Sequence, residues 1–145
     1  VISGRQLDAA EKCGADVVLL VAKVADRLEL DLGRMIDAAH EKGLEVLLEC
    51  YDEKEMAKAA ETDADILGIN NRDLATLKVD LERTKRIMET VGRIEKPVIS
   101  ESGIRNADDV RFVRKVGVDG VLVGTSIWKA ENLREKVNGL KSGAK

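Results

Sequence analysis

The feature that most constrains this chain is a repeated switch in apolar period. Short β-branched or leucine-rich runs recur at Val17–Ala22, Val46–Glu49, Asp65–Ile69, Val98–Glu101 and Gly120–Val123. Each is too short for a buried helix and almost continuously apolar, as a strand covered on both faces must be. Between them lie segments of helical period: Leu28–Lys42, with Leu32, Met35, Ile36 and Ala39 on one face, then Glu53–Glu61, Leu81–Val91 and Ala107–Val116. Alternation of the two periods is the mark of consecutive βα units and a parallel sheet. The joints repeat too: Gly14-Ala15-Asp16, Asp63-Ala64-Asp65 and Gly117-Val118-Asp119 each precede a strand, and Gly or Asp there can end a helix in a left-handed turn.

Smaller signals agree. Asn106 before Ala107-Asp108-Asp109 reads as an N-cap with acidic first-turn residues, and Pro97, the single proline, stands at a strand entrance where its missing N–H is least harmful. Tyr51, Phe112 and Trp128 are the only aromatic residues, so an aliphatic core is expected. Residues 1–145 read as one domain, with a frayed tail expected from Leu140 to Lys145.

Composition narrows the partners. A net charge of −3, with Lys and Glu interspersed, leaves no basic footprint for nucleic acid or an anionic membrane. No apolar run approaches the ~20 residues of a membrane span, so a soluble, cytoplasmic protein is expected. Cys13 and Cys50 have neither metal-ligand spacing nor a paired framework and are expected to be buried free thiols in a reducing compartment. His40 is expected to be a solvated surface residue.

In parallel α/β folds the loops at the carboxyl ends of the strands open onto one face, where catalytic groups gather. Here those ends carry Lys23, Glu49, Asn70, Glu101-Ser102 and Gly124-Thr125. A chain leaving a sheet turns polar in any case, yet five such ends in succession are more than that tendency requires. Glu49 would emerge at an apolar mouth, where desolvation favours acid/base use, or else pair with a nearby lysine. Lys23 reads either as a snorkelling surface lysine or as a catalytic one. The Asn70-Asn71-Arg72-Asp73 stretch suits an anionic, hydroxylated ligand, and equally suits a turn. Ser100–Ile104 and Gly120–Ser126 both end in small and hydroxylated residues whose backbone N–H groups can close around a phosphate.

With these motifs in order, the chain resembles the indole-3-glycerol phosphate synthase family from Gln6 to about Ala130. Gly14–Leu20 resembles the fourth strand of that family's (β/α)8 barrel, Glu45–Glu49 the fifth, Gly68–Leu74 the sixth, Ser100–Ile104 the seventh and Gly120–Ser126 the eighth. The Gly-Ile-Asn-Asn-Arg-Asp-Leu stretch followed by Ser-Glu-Ser-Gly-Ile is the specific part. The resemblance implies an α/β fold made of about five consecutive units of a TIM barrel, a carboxy-lyase of tryptophan biosynthesis, a phosphorylated small-molecule substrate, and no cofactor or metal. It implies that Glu49 and Asn70 are catalytic, Glu49 in acid/base chemistry and Asn70 in orienting the substrate. Arg72, Glu101 and Lys23 would then lie beside the substrate, and Ser102, Gly103, Gly124 and Thr125 would hold the phosphate.

The family's general-acid lysine, with a substrate-binding Glu and Lys, lies on its first three strands, and Val1 aligns just after the third. The chain by itself is therefore expected to be inactive, and either to self-associate or to pair with a chain supplying the other strands. Cys50-Tyr51, Asp63, Thr125 and Trp128 also depart from the family pattern. A noncatalytic phosphate-binding half-barrel module and another sugar-phosphate barrel enzyme are the alternatives; the Asn70-Asn71-Arg72 stretch speaks against the second.

Overall fold

A computed structural model describes residues 1–144. Helix α1 (Gly4–Lys12) leads into strand β1 (Val17–Val21), followed by α2 (Ala22–Arg27) and α3 (Leu32–His40). Next come β2 (Glu45–Cys50), α4 (Glu53–Ala60), β3 (Ile66–Asn70) and α5 (Glu82–Val91). The chain continues with β4 (Val98–Glu101), α6 (Ala107–Lys115), β5 (Gly120–Leu122), a short α7 (Thr125–Trp128) and α8 (Leu133–Ser142). All four strand pairs are parallel, in the order β1-β2-β3-β4-β5.

Sequential order combined with right-handed crossovers puts the crossover helices on one face of the sheet, as in a barrel wall. Burial follows. Along β1, Val18 and Leu20 are buried under helices, whereas Val17 and Leu19, on the other face, are each 40% exposed. At the far edge Leu122 of β5 is also exposed. The core lies between sheet and helices and is aliphatic, with Leu7, Ile36, Leu48, Met56, Leu67, Ile69, Ile87 and Val113 fully enclosed; Trp128 is outside it, 83% exposed.

The repeated joints serve a purpose beyond turning the chain. The Asp65 carboxylate accepts from the Val46 amide at 2.7 Å, and the Asp119 carboxylate accepts from the Val98 amide at 2.8 Å. In each case the amide belongs to the preceding strand, at the residue opposite the aspartate in register, so each joint clasps the strand before it. Asp16 makes no such bond among the described residues, because β1 is the edge of the sheet.

Several expectations are corrected. The helix expected over Leu28–Lys42 is shorter: α3 starts only at Leu32, capped by Asp31, whose side chain accepts from the Arg34 amide, while Leu28 caps the end of α2, an unexpected short helix that begins directly after β1, and Glu29, at φ 52°, turns the chain between the two. Cys13 is exposed, since it caps the end of α1 on the solvent side, while Cys50 is buried. His40 is not simply solvated: its Nε2 lies 2.9 Å from the Asp65 carboxylate. Of the tail from residue 140, Lys145 lies outside the described residues; α8 runs to Ser142 with Leu140 buried, and a Cβ on Gly143 would meet the Ala107 carbonyl at 2.3 Å, so residues 140–143 pack on α6. Asn106 forms the N-cap of α6 as expected, its side chain accepting from the Asp109 amide while its own amide donates to the Asp109 carboxylate.

Candidate active site at the carboxyl ends of the strands

Strand alternation decides which side chains face the helix-free side. Glu49 stands opposite Gly68, and Asn70 opposite Glu101. By that alternation Glu49, Gly68, Asn70 and Glu101 share the inner face, at its carboxyl end. Glu101 leans across the glycine: a Cβ on Gly68 would lie 2.0 Å from Glu101 Oε1 and 3.2 Å from Leu47 Cδ1. The missing side chain is what lets two carboxyl groups approach over the intervening strand, a role the sequence reading did not assign to Gly68. Oε1 of Glu101 is buried without a hydrogen-bond partner. Burial, with the Glu49 carboxylate beside it, pushes the Glu101 carboxyl up from its ordinary 4.5 to about 7.

Asn70 and Asn71, adjacent in sequence, do different things. The Asn70 side chain accepts from the Arg72 amide at 2.9 Å on the inner face. Asn71 points the other way and is fully buried; its amide donates to Ser100 Oγ at 2.9 Å, to the Glu101 carbonyl at 2.9 Å and to the Ser102 carbonyl at 3.1 Å, and its oxygen accepts from Thr84 at 2.8 Å. Asn71 therefore stitches the ends of β3 and β4 to α5 and is no ligand. The discriminating stretch contributes only Asn70 and Arg72 to the accessible side.

Arg72 donates to the Leu77 carbonyl at 3.1 Å and borders a cavity of about 530 Å³ together with Ser102, Gly103, Gly124 and Thr125. The four small residues expected to hold an anion are thus brought together. Ser102 and Gly103 both have positive φ, 63° and 90°, and a Cβ on Gly103 would meet Val79 Cγ1 at 2.5 Å, so this turn needs glycine. Ser126, the last residue of the second loop motif, ties the two loops together by donating to the Ile104 carbonyl at 2.8 Å. Arg105 and Lys129 also border the cavity.

Lys23 is not at a strand end; it lies in the first turn of α2, exposed, with its ammonium 4.6 Å from the centre of the Tyr51 ring. None of the polar contacts of Glu49, Asn70 or Glu101 is to it. Arg83 stacks on the same ring at 3.8 Å, donates to the Tyr51 hydroxyl at 2.7 Å and to the Asn70 carbonyl at 3.0 Å. The Tyr51 hydroxyl donates to Asp73, holding that carboxyl well below the ordinary range. Tyr51 and Arg83 thus brace β2 against β3; an aromatic directly after the strand, two residues beyond Glu49, was the available signal.

Five consecutive parallel βα units, with their acidic pair and small-residue loops at the carboxyl ends, define part of a (β/α)8 barrel. The family model for indole-3-glycerol phosphate synthase matches residues 1–140. The synthase of Caldanaerobacter subterraneus subsp. tengcongensis is 40% identical over 136 residues, covering 94% of this chain and 52% of that protein. The synthase of Acetivibrio thermocellus is 36% identical over 137 residues, with the same coverage of 94% and 52%. Among solved structures, thiamine phosphate pyrophosphorylase from Pyrococcus furiosus superposes with a TM-score of 0.72 at 28% identity, over 94% of this chain and 63% of that one. The chain belongs to the indole-3-glycerol phosphate synthase family. It spans about half the length of the curated relatives it matches.

Among the described residues, no helix is long and apolar enough to cross a membrane, and no group of three or more His, Cys, Asp or Glu is placed to hold a metal ion.

Proposed function

We propose that this chain supplies the acidic wall and the phosphate loops of an indole-3-glycerol phosphate synthase site. The reaction is conversion of 1-(2-carboxyphenylamino)-1-deoxyribulose 5-phosphate to indole-3-glycerol phosphate with loss of carbon dioxide and water. The supporting observation is the continuity of the inner face: Glu49, Asn70 and Glu101 gather around Gly68, and the small-residue cavity begins at the next residue, Ser102.

Ring closure needs a proton donor at the ribulose carbonyl, a cation near the departing carboxylate and later a base to restore aromaticity. A Glu101 carboxyl that keeps its proton up to about pH 7, beside the Glu49 carboxylate, gives this wall a donor and an acceptor within one cluster. Glu49 serves the proton transfers, Asn70 orients the substrate hydroxyls and Arg72 lies beside the bound anion. Ser102, Gly103, Gly124 and Thr125 hold the phosphate through backbone N–H and hydroxyl groups.

The inner faces of the five strands present Glu49, Asn70 and Glu101 and no cation. The family's general-acid lysine belongs to the first three barrel strands, and losing a positioned acid costs about 10²–10⁴ in rate. The chain alone therefore turns over no substrate at a family-like rate, and the partner of its bare inner face is a set of strands that completes the barrel or a second copy of the chain. The test is indole fluorescence with the purified chain, paired with a titration of indole-3-glycerol phosphate followed by amide signals. No turnover, with shifts at Ser102, Gly103, Gly124 and Thr125, is expected. Absence of shifts in those loops refutes the site; robust turnover refutes the missing-acid argument and makes Lys23 the first residue to replace.

A further inference from the structure

The cavity beside the two loops has a charge pattern that the proposed phosphate-holding residues do not account for. Its border includes Arg72, Arg105 and Lys129, and not one Asp or Glu. In a chain that is net acidic, at −3, a concave site with three cationic side chains and no carboxylate is a local reversal of sign. The ion pairs of the molecule lie elsewhere, at Arg34, His40, Lys42, Arg86 and Arg111, so neither Arg105 nor Lys129 is neutralised by a carboxylate partner among the described residues.

The two side chains also start from anchored backbone. Lys136 donates to the Arg105 carbonyl at 2.6 Å, and the Arg105 amide donates to Asp109 at 2.8 Å. Lys129 closes α7, its amide donating to the Thr125 carbonyl at 3.1 Å, within the same loop that carries Gly124 and Thr125. The Ser126 hydroxyl, bonded to the Ile104 carbonyl, holds these two loops in one relation. Arg105 and Lys129 thereby border the cavity from two different loops.

We propose that Arg105 and Lys129 are specificity-determining residues which make this cavity select a phosphomonoester in its dianionic form. The assignment rests on the phosphate reading of the four small residues and adds a charge requirement to it. Neutral N–H and hydroxyl donors at Ser102, Gly103, Gly124 and Thr125 can hold either ionisation state; two exposed cations bordering the cavity favour the doubly charged one through charge-assisted contacts. A phosphomonoester acquires its second charge near pH 6, so its affinity rises through that region, while sulfate, a dianion throughout, binds without that rise.

The experiment titrates glycerol 3-phosphate and, separately, sulfate into the 145-residue chain at pH 5 and pH 7.5, at two salt concentrations, following amide signals of residues 102, 103, 124 and 125. The variants are Arg105→Met, Lys129→Met and the double replacement, with Arg105→Lys and Lys129→Arg as conservative partners. Both side chains are exposed, so the fold is expected to persist, checked by unchanged amide signals in β2 and β3. Each Met variant is expected to weaken dianion binding about tenfold, the double variant more, with a flatter salt dependence and loss of the pH rise for glycerol 3-phosphate; the conservative variants restore it. Unaltered affinity and salt dependence in the double variant would overturn the inference while leaving the phosphate site standing. No shift in the unaltered chain with either anion would overturn the phosphate site itself, and this inference with it.

Discussion

Replacing Glu101 by Gln tests the acidic pair directly. In the folded chain the Glu101 carboxyl is held at about 7 against an ordinary 4.5, because burial and Glu49 disfavour its charge. A raised acid binds its proton more tightly in the folded state. Its penalty is therefore absent below the unfolded value of 4.5, grows as pH rises from 4.5 to about 7, and is complete above 7. At about 1.4 kcal/mol per pH unit that interval corresponds to about 3 kcal/mol, and water reaching the open inner face reduces it to about 2 kcal/mol. Glutamine keeps the shape, carries no charge and offers an N–H to Glu49, much as the protonated acid does. Urea denaturation of both chains at pH 5 and pH 8 measures the effect. The variant should gain about 2 kcal/mol more, relative to the parent, at pH 8 than at pH 5. An equal difference at both pH values would refute the argument that repulsion and burial together raise this carboxyl.

Gly68→Ala would drive a methyl group into the Glu101 carboxylate, a cost of about 1–3 kcal/mol read by denaturation, and combination with Glu101→Ala should recover most of it. Asn71→Ala removes the side chain that joins Ser100, Thr84 and the carbonyls of Glu101 and Ser102, leaving Ser100 and Thr84 only each other, and should cost about 1–3 kcal/mol, with faster amide exchange at the ends of β3 and β4; a loss below about 0.5 kcal/mol would remove Asn71 from its structural role. Asp119→Ala, which opens the clasp on Val98, should cost about 1–3 kcal/mol and raise exchange of the Val98 amide in particular. The exposed inner face, with Val17, Leu19 and Leu122, should drive association detectable by light scattering at micromolar concentration, and a monomer that binds no hydrophobic dye would count against a bare half-barrel wall.

The sequence by itself determined the βα repeat, the parallel pairing, the capping of α6 by Asn106 and the order of polar residues at the strand ends. Those features depend on local period and on residues adjacent in the chain, which a linear reading contains. It could not decide which neighbour of a polar doublet faces inward: Asn70 and Asn71 have the same chemistry, and only the strand pleat sends one to the inner face and the other into a buried network with Thr84 and Ser100. The short α2 also escaped it, because that helix begins at Ala22, the last residue of the apolar run that reads as a strand. Lys23 looked like a strand-end residue until β1 ended two residues earlier and the lysine turned onto Tyr51. Most of all, the meeting of Glu49 and Glu101 over Gly68 joins residues 49, 68 and 101, and the position of each depends on the register of three strands. Register is set by packing across the whole sheet, and so the carboxyl raised to about 7 could be identified only once the tertiary structure had brought its neighbours to it.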